Sequence, residues 1–109
     1  MVVDPAWYVD SGATNHVTNE LGRMQAATEY LGNQKLTVGS GQGLPIQHIG
    51  HSFLCTSNKT ILLKNILHVP SITKNLLSVS KIACDNDVFF EFHATQCLFK
   101  DKVTGKILL

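Results

Sequence analysis

Near its amino end the chain reads Trp7-Tyr8-Val9-Asp10-Ser11-Gly12-Ala13-Thr14. Three large apolar residues with aromatic and β-branched side chains are typical of a buried strand. The Asp-Ser-Gly that follows them is typical of a tight turn, and such a tripeptide by itself is most often only a turn. The apolar run in front favours a second interpretation. It predicts that Asp10 stands on a rigid support, where the Ser11 hydroxyl and the Gly12 amide can orient its carboxylate.

The composition limits the classes of protein to which the chain can belong. Its 109 residues are enough for one domain, residues 1–109, with a modest core. A formal net charge of +1 gives no electrostatic case for binding nucleic acid or an anionic membrane. Apolar runs fall short of the roughly 18 residues of a spanning helix, and residues 1–5 lack the pattern of an export signal. We therefore expect a globular domain with neither nucleic-acid nor membrane partners.

The cysteines and histidines do not form a metal-binding pattern. Cys55, Cys84 and Cys97 are an odd and widely spaced set, which argues against a disulfide framework and against a zinc ribbon. The five histidines form neither an HExxH motif nor a close pair with a cysteine. We expect no metal, no cofactor and a reducing compartment.

A glycine-rich segment further along the chain reads Gly39-Ser40-Gly41-Gln42-Gly43 and lies between two strand-like runs. Glycines at alternate positions predict a mobile hairpin tip whose backbone amides can reach a ligand. A plain flexible hairpin explains the same pattern. A nucleotide-binding loop does not, because the lysine and the following helix of a P-loop are both missing.

The rest of the chain predicts a mostly β, closed or rolled sheet with one helix. Strand-like runs occupy residues 15–19, 36–38, 44–50, 51–56, 60–64, 65–69, 88–92, 96–100 and 106–109. Residues 20–35 are ambiguous between a loop and a loop with one helical turn. The chain stops in a strand-like run without a polar tail, so we expect a domain cut from a longer polypeptide.

The predicted helix follows Pro70. Ser71 or Thr73 can cap its beginning, and Asp85-Asn86-Asp87 ends it. Its apolar face has helical spacing and consists of Ile72, Leu76, Val79 and Ile82 or Ala83, widened by Leu77.

Three motifs occur in order along the chain. They read Trp7-Tyr8-Val9-Asp10-Ser11-Gly12-Ala13-Thr14-Asn15-His16-Val17-Thr18, Ile66-Leu67-His68-Val69-Pro70 and Lys74-Asn75-Leu76-Leu77-Ser78-Val79-Ser80. This combination resembles the protease domain of Ty1/copia retrotransposon Gag-Pol polyproteins, a branch of the retropepsin-like aspartic proteases. The resemblance extends from about residue 7 to residue 109. It implies a retropepsin-like closed β-barrel with a glycine-rich flap hairpin and one short helix.

The resemblance also implies an activity, that of an aspartic endopeptidase that processes its own polyprotein with Asp10 as the catalytic residue. Such enzymes use two carboxylates that share one proton; one activates a water molecule and the other polarises the scissile carbonyl. This chain has a single Asp-Ser-Gly, because Asp101 is followed by Lys102-Val103. A twofold homodimer is therefore implied, in which Asp10 meets its symmetry mate.

Roles for the neighbouring residues come from the same resemblance. Ser11, Gly12 and Ala13 would support the catalytic pair, and the glycine-rich segment would close as a flap over an extended peptide of the polyprotein. Leu76 and Leu77 would form the hydrophobic floor of the active loop. The implied location is cytoplasmic, within virus-like particles.

The chain departs from the retroviral pattern at three positions. Thr14 stands where retroviral relatives usually carry Asp, and Ser78 and Val79 stand where they carry Gly and Arg. The Arg–Asp pair that often strengthens the retroviral dimer therefore has no counterpart here. A hypothesis of a different class is a catalytically silent barrel that acts as a binding or scaffold module. The intact Asp10-Ser11-Gly12 favours the enzyme.

Overall fold

The computed structural model describes residues 2–4, 7–37, 40–56 and 59–108. These residues form eleven strands, a 3₁₀ turn at Leu21–Arg23 and one helix, α1, at Val79–Asn86. The strands are β1 (Val2–Asp4), β2 (Trp7–Asp10), β3 (Val17–Thr18), β4 (Ala26–Glu29), β5 (Lys35–Thr37), β6 (Gly43–Pro45), β7 (His48–Cys55), β8 (Thr60–His68), β9 (Leu76–Ser78), β10 (Val88–Phe92) and β11 (Cys97–Asp101). The predicted class, mostly β with one short helix, is confirmed. Within the described ranges, no helix is long and apolar enough to cross a bilayer.

Seven strands form one sheet in the order β1-β2-β9-β3-β8-β7-β4, and β5–β6 and β10–β11 are separate two-stranded sheets. β9 lies between β2 and β3, parallel to the first and antiparallel to the second. The register pairs Asp10 with Ser78 and Val17 with Leu76. The loop of residues 11–16, which joins β2 to β3, therefore passes over the carboxyl end of β9.

Two apolar clusters lie on opposite sides of this sheet segment. The main core consists of Trp7, Leu54, Ile61, Leu63, Ile66, Leu77, Ile82, Val88, Phe99 and Leu108. The second cluster is built on Val17, Leu67 and Val69. β8 contributes residues to both clusters, and the alternation of its side chains between the two faces of the sheet changes midway. The register with β7 shifts between Gly50 and Ser52, opposite Asn65, whose φ is 54°. This bulge lets Ile66 reach the same core as Ile61 and Leu63.

The prediction for the beginning of the helix was wrong. Leu76 to Ser78 form β9, and α1 begins only at Val79, with the Ser78 hydroxyl accepting a hydrogen bond from the Lys81 amide at 3.3 Å. Pairing with two strands outweighs the helical spacing of the apolar residues, and strand alternation sends Leu77 into the main core and Leu76 to the second cluster. The predicted end was right, since the helix stops at Asn86.

Other boundaries differ in smaller ways. The runs predicted as 60–64 and 65–69 are one strand, β8. The boundary predicted between the runs 44–50 and 51–56 falls inside β7, and the first of these runs contains most of β6 and the beginning of β7. The final run is reduced, among described residues, to a bridge between Lys100 and Ile107. The ambiguous segment 20–35 contains the 3₁₀ turn and β4, which pairs with β7 at the edge of the sheet.

Asn86 ties the end of α1 to the outer edge of β8. Its side-chain oxygen accepts from the Leu62 amide at 2.7 Å, and its side-chain nitrogen donates to the Leu62 carbonyl at 2.8 Å. The same nitrogen donates to the Ile82 carbonyl at 3.2 Å. The Asn86 side chain thus makes the two hydrogen bonds to Leu62 that a neighbouring strand would otherwise make.

We expect Asn86→Ala to lower the free energy of unfolding by about 2 kcal/mol, because it removes both partners of the Leu62 peptide groups. Asn86→Asp keeps the acceptor but not the donor and should lie between this variant and the wild type. Urea denaturation measures the change. Cys84→Ala, at an exposed position of the same helix, is the matched control and should stay within about 0.5 kcal/mol. Equal free energies of unfolding for Asn86→Ala and Cys84→Ala would show that the hydrogen bonds between Asn86 and Leu62 do not stabilise the fold.

Candidate active site

The loop 11–16 presents Asp10 at the end of β2. The Gly12 amide donates to Asp10 Oδ1 at 2.8 Å, and the Ala13 amide donates to the Asp10 carbonyl at 3.4 Å. These two bonds turn the chain directly after the strand, and the first of them orients the carboxylate. Ser11 and Gly12 are exposed, so the outer side of the turn faces solvent in the single chain.

Asp10 lines a cavity of about 490 Å³ beside the loop. The other lining residues come from the loop, β3, β5, β9 and the segment before β9; they are Gly12, Ala13, Thr14, Asn15, Val17, Leu36, Thr37, Ile72, Thr73, Lys74 and Leu76. Among these residues of the described chain, Asp10 alone carries a carboxylate. The cavity therefore combines one acid with aliphatic side chains and a polar rim.

The β5–β6 hairpin forms one wall of this cavity. Leu36 and Thr37 line it, and Leu36 packs with Leu44 against the second apolar cluster. Register pairs join Leu36 to Leu44 and Thr37 to Gly43. The hairpin that the sequence predicted as a flap is thus placed beside Asp10 by an apolar contact.

The residues of the predicted flap tip are only partly described. Ser40, Gly41 and Gln42 are exposed, and Gly41 has φ +86°, a conformation that favours glycine. Gly43 begins β6. Gly39 lies outside the described residues, as does the last residue of the run predicted as strand 36–38.

The two predicted floor residues face opposite sides of the sheet. Leu76 lines the cavity, whereas Leu77 is fully buried in the main core and pairs in register with Val9. Leu76 is therefore the one of the two that can contact a ligand. Leu77 supports β2 from the core side.

Hydrogen bonds around Asn75 fix the wall of the cavity before β9. The Thr18 hydroxyl donates to Asn75 Oδ1 at 2.8 Å, and the Asn19 amide donates to the same oxygen at 3.0 Å. The Asn19 side chain donates to the Ile72 carbonyl at 3.1 Å. The end of β3 thereby holds the segment that places Ile72 and Lys74 at the cavity.

His16 and Ser78 hold the loop from beneath, and sequence reasoning did not single out either as a site residue. Both are 0% exposed. The Ser78 amide donates to His16 Nδ1 at 3.0 Å, and the Ser78 hydroxyl donates to the Ala13 carbonyl at 2.7 Å. The available signal was a polar residue directly next to an apolar strand residue at each position, Val17 after His16 and Leu77 before Ser78, but nothing local shows that the two meet.

Residues 7–96 match the protein family described as "Pol polyprotein, beta-barrel domain". The chain belongs to this family. It is similar to the retrovirus-related Pol polyproteins from transposons RE1 and RE2 of Arabidopsis thaliana, at 39% and 37% identity over 103 residues. Each match covers 94% of this chain and 7% of the relative, so the β-barrel domain corresponds to a small part of those polyproteins. The predicted relationship to Pol polyproteins of retrotransposons is confirmed.

Burial gives the Pol β-barrel domain an imidazole that resists protonation. It lowers the pKa of His16 from 6.5 to about 4; the Lys81 charge lowers the pKa further, and Asp85 raises it. Because Nδ1 accepts from the Ser78 amide, the neutral ring carries its proton on Nε2. Nε2 has no hydrogen-bond partner among the described residues.

This lowered pKa predicts that acid destabilises the domain. The unfolded chain takes up the His16 proton near pH 6.5 and the folded chain only near pH 4. The stability is therefore complete above pH 6.5 and falls as the pH drops toward 4, by about 3 kcal/mol in total. Urea denaturation at a series of pH values measures this loss.

His16→Asn is the matched variant, because its side-chain oxygen can take the acceptor position of Nδ1 without titrating. We expect a flatter stability profile for it over this interval. His68, whose pKa is also lowered by burial, is present in both proteins, so its effect cancels in the difference. Parallel profiles for wild type and His16→Asn would contradict the assignment.

Proposed function

We propose that this domain is an aspartic endopeptidase that processes a retrotransposon Gag-Pol polyprotein, with Asp10 as its catalytic carboxylate. The observation that carries the proposal is the placement of this carboxylate. The Gly12 amide orients it at 2.8 Å, and it lines an open cavity with a hairpin along one wall. An oriented carboxylate in a cleft of peptide-binding size is the arrangement that acid–base hydrolysis of an amide needs.

The chemistry requires a second carboxylate, which we assign to Asp10 of a second copy in a twofold homodimer. Two carboxylates at hydrogen-bond distance share one proton, because both cannot ionise easily. The ionised one takes a proton from water, whose oxygen attacks the scissile carbonyl, while the other protonates the carbonyl oxygen. Collapse of the tetrahedral intermediate breaks the C–N bond and returns a proton to the leaving amine. The exposed Ser11 and Gly12 are the surface through which the copies would meet.

The cavity and hairpin suit an extended peptide as the substrate. Leu36, Ile72 and Leu76 offer apolar contacts to its side chains. The β5–β6 hairpin is a two-stranded sheet in the described chain. A peptide can therefore add to it as a further strand, and movement of the hairpin would close the site over it.

The family supports the choice of substrate. The relatives are Pol polyproteins from transposons, and a polyprotein is by definition a chain that yields several products. An endopeptidase domain within such a chain has its substrate at hand. We place the activity in the cytoplasm, within virus-like particles.

The experiment is to incubate the 109-residue chain with a Pol polyprotein substrate from mildly acidic to neutral pH. We expect cleavage by the wild type, and a loss of roughly 10²-fold or more in Asp10→Asn, because the amide cannot exchange the proton. The substitution keeps the oxygen that accepts from Gly12, so the fold should persist, which circular dichroism checks.

Asp101→Asn is the control, because Asp101 lies in β11 and does not line the cavity. It should cleave like the wild type. Undiminished cleavage by Asp10→Asn would remove Asp10 from the mechanism. A folded wild type that cleaves at no pH would favour the silent binding or scaffold module.

A further inference from the structure

We propose that His16 is a positioning residue that holds the Asp10 loop through Ser78, and that protonation of its imidazole releases this hold and sets the acid limit of the site. The link to activity rests on the proposed function. The hold on the loop does not, and it can be tested without any substrate.

Ser78 is the point where three parts of the site meet. Its amide donates to His16 Nδ1 at 3.0 Å, and its hydroxyl donates to the Ala13 carbonyl at 2.7 Å. The same hydroxyl caps α1 by accepting from the Lys81 amide at 3.3 Å. In the sheet, Ser78 stands opposite Asp10. A displacement of Ser78 would therefore disturb the loop in two ways. It would strain the hydrogen bonds of Ser78 to His16 and Ala13, and it would shift the pairing of Ser78 with Asp10.

The proton on His16 decides whether the first of these bonds exists. The neutral ring with its proton on Nε2 offers Nδ1 as an acceptor to the Ser78 amide. The protonated ring carries hydrogen on both nitrogens, so two donors would face each other across 3.0 Å. Either the ring or the Ser78 amide must then move. The Ser78 hydroxyl is then no longer fixed in the position from which it donates to the Ala13 carbonyl.

The surroundings give the charged ring little compensation. From α1, Lys81 opposes the added charge and Asp85 favours it. β9 contributes the Ser78 groups, and β8 contributes the Leu67 amide, which donates to the His16 backbone carbonyl at 2.9 Å. The ring is 0% exposed and its Nε2 is without a hydrogen-bond partner in the described chain. Release should therefore come only in acid, in keeping with a pKa lowered to about 4.

The hold is tested by NMR on the ¹⁵N-labelled 109-residue chain carrying Asp10→Asn. This background replaces the carboxylate at position 10 by an amide and leaves an oxygen for the Gly12 amide to donate to. We expect the amide signals of Gly12, Ala13 and Ser78 to shift together with a midpoint near pH 4. In the double variant Asp10→Asn/His16→Asn, the oxygen of the introduced side-chain amide replaces Nδ1, and these shifts should be absent. Identical titrations in the two proteins would overturn the hold.

A second measurement does not depend on stability in acid. At neutral pH the ring nitrogens of His16 should report the Nε2-protonated tautomer, because only this form accepts from Ser78. The tautomer with its proton on Nδ1 would overturn the proposal.

Cleavage assays test the link to activity with a matched pair of variants. His16→Asn places an acceptor oxygen at the position of Nδ1. His16→Gln carries its amide one carbon further out and therefore leaves that position without an acceptor. We expect His16→Asn to stay within about threefold of wild-type kcat at neutral pH and to keep its activity at lower pH than the wild type. His16→Gln should lose roughly tenfold in kcat with a smaller change in KM.

The outcomes separate the two proposals. Wild type, His16→Asn and His16→Gln with the same acid limit and the same kcat would overturn the link between His16 and activity, while the protease assignment would stand. A wild type that cleaves at no pH would overturn the protease assignment and with it the link to activity, and the NMR result would then decide the hold alone.

Discussion

The hydrogen bond from the Ser78 hydroxyl to the Ala13 carbonyl is the contact on which the geometry of the site depends. It joins the turn after β2 to Ser78, the last residue of β9 before α1 begins. Both partners lie at one end of the three neighbouring strands β2, β9 and β3. β9 is inserted between β2 and β3, and Leu77 anchors it in the main core. The backbone of Asp10 is thus held by its pairing with β9, and the turn that follows it is held by a buried hydroxyl. The Gly12 amide then needs only to orient the carboxylate oxygens.

Ser78 is the residue that makes this contact. A glycine there has no hydroxyl, so the serine adds a link between the loop and the helix that a glycine cannot make. The buried contacts beneath the loop form a neutral network of the His16 imidazole and the Ser78 hydroxyl. Such a network avoids the desolvation cost of buried ions. Its cost is that the network includes a histidine, so acid can disrupt it.

The parts of the fold that were predictable are those specified by local sequence. The apolar run ending in Asp10 indicated β2 and its turn, and the alternating glycines indicated a hairpin. β9 was mistaken for helix because its conformation depends on pairing with strands far away in sequence. β4 escaped prediction because all four of its residues are exposed, which leaves no alternation to detect. His16 and Ser78 are 62 positions apart, and only the tertiary fold brings them together.

We propose that each chain supplies half of a site that a second copy completes. Calorimetric titration with a statine-type peptide inhibitor measures how many chains make one site, because the inhibitor's hydroxyl imitates the tetrahedral intermediate and binds between two carboxylates. We predict one inhibitor molecule bound for every two chains, and loss of binding in Asp10→Asn. Saturation at one inhibitor for each chain, with the protein monomeric in the complex, would contradict the claim.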